Sequence, residues 1–169
     1  MRRHFQMFAH YNRWANGRVY DACGELSDEE YRADRRAFFG SAHRTLNHLL
    51  ATDRIWMKRI TGDGDAPSTL DAVLFEDFGA LREARTEEDQ RLIDFINGLG
   101  DEQISRSFTY TPISNPVQIT QPLGPVLAHV FNHQTHHRGQ VHSILTSLGK
   151  PSLVLDLIYF LRAEGQKWM

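Results

Sequence analysis

Phe5, Phe8, Tyr11, Trp14, Val19, Cys23 and Leu26 recur at mostly helical intervals through residues 3–26, a stretch without proline, and predict a long first helix. Ser27 with Glu30 three positions later has the form of a capping box for a short turn. Ser41 is placed to cap a second long helix carrying Leu46, Leu49, Leu50, Trp56, Met57 and Ile60 as far as Gly62, where GDGDAP supplies loop chemistry. Residues 74–98 read as a third helix, with the run REARTEEDQR on its solvated face and Leu92, Ile93, Phe95 and Ile96 near its end. The period then shortens: SFTYTP and PVQITQP alternate and are β-branched or aromatic, which predicts a small edge hairpin turning at Ser114 and Asn115. From Pro122 a fourth helix runs to the stop signal of Gly149 and Pro151, and residues 152–164 make a shorter last helix. Four long amphipathic stripes must bury against one another, so the expected fold is all-α, a four-helix bundle formed as one domain over residues 1–169.

Composition changes this picture little. Apolar residues make up 41% and charged residues 24% of the 169, ordinary values for a globular chain. A formal charge of -2 argues against nucleic acid as a partner, because backbone affinity needs a concentrated excess of Lys and Arg. No stretch approaches the roughly 18 continuous apolar residues of a membrane span, and MRRHFQMFAHYNRWANGR is too polar for a signal peptide. Cys23 is the single cysteine, so no internal disulfide forms. A cytoplasmic, reducing address is the expectation.

Candidate chemistry enters with HVFNHQTHHRGQ, four histidines within nine positions of the fourth helix. At about 100° per residue, Val126, Val130, Val141, Ile144 and Leu148 share one face with His133 and His137, while His129 lies at its edge and His136 outside it. Two imidazoles one turn apart on an apolar face are costly to bury unless each nitrogen has a partner, and one metal ion satisfies both. The second helix offers a third ligand in His43 or His48, between which periodicity does not choose. The peptidase pattern HExxH shares the four-residue spacing, but Gln134 stands where its glutamate base would be and cannot take a proton.

YNRWANGRVYDAC at 11–23, FFGSAHRTLNHLLATDRIWMKRITG at 38–62, HVFNHQTHHRGQVHSILTSLG at 129–149 and DLIYFLR at 156–162 together resemble the DinB/YfiT-like family. The resemblance implies an up-down-down-up bundle, usually a homodimer, with a divalent metal on three histidines. By motif these are the histidine of TLNHLL, His48, and those of NHQTHHRGQ, His133 and His137.

Three neutral imidazoles suit zinc or nickel and leave an open position, whose occupant, water or a thiolate, would be the nucleophile; no separate catalytic side chain is expected. Asp53, Asp156 and Asn47 are candidates to orient the imidazoles from behind. Arg138 suits an anionic substrate or, better, a structural ion pair with another helix. Cys23 reads as core, and Tyr11 and Trp14 as core or pocket wall. Relatives implied by the resemblance use low-molecular-weight thiols such as bacillithiol, mycothiol or glutathione, so a thiol-dependent S-transferase or a hydrolase acting on a small molecule is expected. The alternatives are a non-catalytic, dimeric metal- or ligand-binding stress protein and a bare helical dimerisation module.

Overall fold

Ser41 ends an extended segment and starts a helix, its hydroxyl accepting the amide of Arg44, and Gly62 closes that helix in the left-handed region at φ 78°, its amide donating to the Lys58 carbonyl. The computed structural model, which describes residues 1–113, 115 and 117–169, thus ends this helix where its cap and stop residues predict. Before it come α1 (Arg2–Gly24) and a one-turn α2 (Asp28–Arg32), whose Ser27–Glu30 capping box is formed in both directions. The Ser41-capped helix is α3 (Ala42–Thr61), followed by α4 (Phe78–Gly98), a short α5 (Asp101–Ser105), strands β1 (Ser107–Tyr110) and β2 (Ile119–Pro122), α6 (Leu123–Ser147) and α7 (Leu157–Ala163). The strands form the expected antiparallel hairpin, Tyr110 opposite Ile119; the turn expected at Ser114 and Asn115 lies partly outside the described residues.

Two boundaries differ from expectation. The third long helix starts at Asp77, whose carboxylate accepts the amide of Ala80, rather than at residue 74. Asn47 of α3 takes the amides of Leu74 and Phe75 on its Oδ1 (2.8 and 2.9 Å), which withdraws them from any helix. Likewise residues 152–156 stay extended before α7, where the Leu155 carbonyl accepts the hydroxyl of Tyr11 at 2.8 Å.

Pairings along the long helices fix their directions. Arg2 meets Asn97, Asn12 and Asn16 meet Asp89, and Asp21 meets Arg82, so α1 and α4 are antiparallel. Phe5 and Phe8 stack on Phe131 while Asn12 and Asn16 accept from Arg138, so α1 and α6 are parallel. Asp53 and Arg54 of α3 face Arg85 and Glu88 of α4 in parallel, and Leu49 and Trp56 face Gln134 and His129 of α6 in the reverse sense. The result is the up-down-down-up order, with α1 and α3 each packed between α4 and α6.

The core is layered. One apolar cluster includes Val19, Leu46, Leu50, Leu81, Ile144 and Leu145, and another, at the opposite end, Phe5, Ile96, Leu99, Ile104, Leu127 and Phe131. Between them lies a buried polar layer of Asn12, Asn16, Asp53, Arg85, Asp89, Gln134 and Arg138. This corrects the reading of REARTEEDQR as solvated: Ala84, Arg85, Glu88 and Asp89 are buried, and only the remainder of the run has an outward share. Arg85 reaches Asp53 Oδ2 at 2.8 Å and Asp89 Oδ1 at 3.1 Å, and the two guanidiniums of the layer balance its two carboxylates. Burial pushes both carboxyl pKa values up, and the Arg85 charge pulls against it.

Removing Arg85 strands two carboxylates in the core. Arg85→Met is therefore expected to cost about 3–5 kcal/mol in urea denaturation, whereas Arg82→Met, at an exposed pair, is expected to change stability little. Equal losses would show that the layer is not charge-coupled.

Candidate metal centre

The antiparallel contact of α3 with α6 brings His48 opposite His133 and His137, which stand one turn apart on α6. Ring centroids lie 5.1 Å (His48–His133), 4.6 Å (His48–His137) and 4.4 Å (His133–His137) apart. One nitrogen from each ring falls within 4.8 Å of the other two, and the Nε2 atoms of His48 and His133 are 3.2 Å apart. Two nitrogens on a tetrahedral ion, each about 2.0–2.1 Å from it, would be about 3.3–3.4 Å apart, so this spacing fits a shared cation.

The backs of the rings are held. His48 Nδ1 donates to the carbonyl of Leu70 at 2.6 Å, and His137 Nδ1 donates to Oε1 of Gln140 at 2.8 Å. Both acceptors fix the proton on Nδ1 and leave Nε2 with its lone pair, the tautomer a ligand needs. Phe39 stacks on His48, centroids 3.9 Å apart. Asn47 acts one step further back: it accepts the amides of Leu74 and Phe75 and donates to the Phe75 carbonyl, anchoring the segment that presents Leu70.

Other candidates are placed elsewhere. His43, which periodicity left open, turns to the Phe75 carbonyl (3.2 Å) and packs against Tyr31. His129 and His136 are exposed beside the cluster. Asp53 pairs with Arg85 in the polar layer, and Asp156 precedes α7 at a separate groove with His4 and Phe131, so neither carboxylate backs an imidazole. Arg138 is structural, as its second reading had it, but it binds α1 through the amides of Asn12 and Asn16 rather than through an ion pair. Gln134 is fully buried and donates to the Leu49 carbonyl, turned to the core. Cys23 is buried and its thiol pushed up to about 12 by burial, Tyr11 is core, and Trp14 is half-buried against Phe160. The sequence reading missed Leu70, Gln140 and Phe39. Of these, Gln140 had a signal, its i+3 spacing from His137; a loop carbonyl has none.

The cluster opens on a cavity of about 510 Å³ walled by Phe38, Phe39, Leu70, Asp71, His136 and Gln140. Burial lowers the pKa of all three imidazoles: His48 to about 4, with the Leu70 carbonyl opposing, and His133 to about 3, with His137 and His48 adding to the effect. These folded-state values lie below the unfolded value near 6.5, so on acidification the unfolded chain takes up protons first. Stability of the metal-free protein is therefore lost as pH falls from about 6.5 towards about 3, and is fully present above that window. The chelated protein should melt at steadily lower temperature from pH 7 to pH 5, and His48→Phe/His133→Leu should flatten the slope; a parallel slope in the variant would contradict the shifts.

Comparison with known proteins agrees with this architecture. The DinB family profile matches residues 1–168. Protein DinB of Bacillus subtilis (strain 168) is 26% identical over 166 residues, covering 93% of this chain and 94% of that one, and the uncharacterized protein YizA of the same organism is 25% identical over 136 residues, 79% and 81%. Among solved structures, YfiT from Bacillus subtilis, described as a probable metal-dependent hydrolase with an unusual four-helix bundle topology, superposes with a TM-score of 0.65 at 16% identity, covering 85% of this chain and 87% of that one. With the profile spanning nearly every residue, the chain belongs to the DinB family.

Proposed function

We propose that the protein is a divalent-metal-dependent enzyme acting on a small molecule, with His48, His133 and His137 as ligands for zinc or nickel. The observation that carries this reading is the convergence of three imidazole nitrogens, two with protons fixed on the far side, at the floor of an open cavity. When bound, such an ion supplies Lewis acidity and a nucleophile at neutral pH. The chain's own residues do the rest. The Leu70 carbonyl and Gln140 orient the ligands, and Phe39 covers one face of the His48 ring. Gln140 Nε2 donates to His136 Nε2 at 3.1 Å, which leaves the Nδ1–H of His136 as a donor at the cavity wall; Asp71 offers a carboxylate there.

Hydrolysis is the first reading, in keeping with the description of YfiT. Transfer to a low-molecular-weight thiol is the second, favoured by the room beside the cluster and by the affinity of borderline metals for sulfur. We further propose a cytoplasmic homodimer. The lone buried Cys23 suits a reducing compartment, no described helix is long and apolar enough to cross a membrane, and Val154, Ile158 and Tyr159 leave apolar surface around α7 for a second copy.

Loss of a supporting contact behind a metal ligand weakens binding about 10–100-fold, so loss of a ligand should cost at least about 100-fold. Wild type dialysed against zinc should keep one equivalent per chain by mass spectrometry; His48→Ala, His133→Ala and His137→Ala should lose it, and His43→Ala should not. Ester hydrolysis or thiol conjugation to a generic electrophile should vanish with chelator and with His133→Ala. Metal without turnover on either substrate class would indicate a non-catalytic binder, and no stoichiometric metal would overturn the reading.

A further inference from the structure

Beside the histidine cavity lies a second groove of about 420 Å³, between residues 35–38 and the outer face of α6. The two share Phe38, His136 and Gln140, so they adjoin across a common wall. Their chemistry differs. The second groove is lined by Arg35, Arg36, His136, Gln140 and Ser143, all able to donate, while the Ser147 hydroxyl is spent on the Ile144 carbonyl, and no carboxylate lines it. In a chain of net charge -2 that separation of charge is local. Arg32, a turn earlier, is spent on Asp28 and Glu76, whereas Arg35 and Arg36 have no side-chain hydrogen bond or ion pair among the described residues.

The backbone that presents them is a constrained turn. Arg36 sits at φ 56°, a left-handed conformation uncommon for a residue with a Cβ. It is held there by Asp34, whose Oδ1 accepts the Arg36 amide (2.8 Å), and by the Arg35 amide donating to the Gly40 carbonyl (2.8 Å). The same turn sets Phe38 in the wall common to both grooves with 79% of its surface exposed, packed edge-on to Phe39 alone among the aromatic rings. A large apolar ring left in water beside two unpartnered cations matches a ligand with an apolar body and an anionic end.

We propose that the groove of Arg35 and Arg36 is an oxyanion subsite of the histidine centre, and that the protein's substrates are small acids whose carboxylate, sulfonate or phosphate end docks there while an apolar segment lies on Phe38 and the reactive end reaches the three histidines. The substrate assignment rests on the metal-centre reading above; the anion subsite does not. The test is calorimetric binding of 3-phenylpropionate against its uncharged analogue 3-phenylpropanamide, on the zinc-dialysed full chain, on Arg35→Gln/Arg36→Gln, on Arg35→Lys/Arg36→Lys and on His133→Ala. Two exposed charge-assisted contacts should favour the acid by at least about fivefold in the wild type. That preference should disappear in the glutamine pair, survive largely in the lysine pair, and persist in His133→Ala even though the metal is lost. No preference for the acid in the wild type would overturn the proposal, as would a preference kept in the glutamine pair and lost in His133→Ala, which would place the carboxylate on the metal. If zinc is not retained by the wild type while the arginine-dependent preference remains, the subsite stands and the metal reading falls.

Discussion

A neutral imidazole has one N–H and one lone pair, and at the α3–α6 seam this arithmetic does not close within the protein. His48 and His137 spend their protons outward, on the Leu70 carbonyl and on Gln140, and so turn lone pairs inward. His133 has one proton to offer between them, and its Nε2 faces that of His48 at 3.2 Å. One lone pair remains without a protein donor in a site where burial keeps every ring neutral. A cation at the common point would satisfy all three at once.

The bundle supplies the rigidity this requires. His48, His133 and His137 stand on two helices that the polar layer locks in register: Gln134 binds the Leu49 backbone across the same seam, and Arg85 ties Asp53 of α3 to Asp89 of α4. Arg138, the residue after His137, is clamped to α1 through Asn12 and Asn16. Apolar packing alone tolerates small slips of one helix past another; paired buried charges and amides tolerate them poorly, because each slip leaves an unsatisfied group. The layer beside the three imidazoles is therefore also the one most sensitive to helix register.

Much of this was legible in the chain. Periodicity located the four long helices because their apolar stripes repeat over many turns, and Ser27, Ser41 and Gly62 marked ends because capping is local chemistry. The same logic found His133 and His137 on an inward face. It could not separate His43 from His48, since α3 is buried on nearly every side and a helical angle carries no information there; the family motif pointed to His48, and His48 is the one that lies beside His133 and His137. REARTEEDQR was misread because charge pattern reports composition of a face, and only tertiary pairing with Asp53 and Asn16 reveals that Arg85 and Asp89 are interior. The Leu70 carbonyl was invisible for a different reason: a backbone acceptor leaves no trace in residue identity.

Around the centre, the segments that differ from simple helical expectation are those that build the site's walls. The extended chain before α4, pinned by Asn47, delivers Leu70, and the strained turn before α3 delivers Phe38 and Phe39. The most direct measurement of the account is a crystal structure of the zinc-soaked protein with anomalous scattering at the zinc edge. The account predicts a single strong peak within about 2.0–2.1 Å of one nitrogen from each of His48, His133 and His137. A peak elsewhere, or none with the three rings still facing one another, would contradict it.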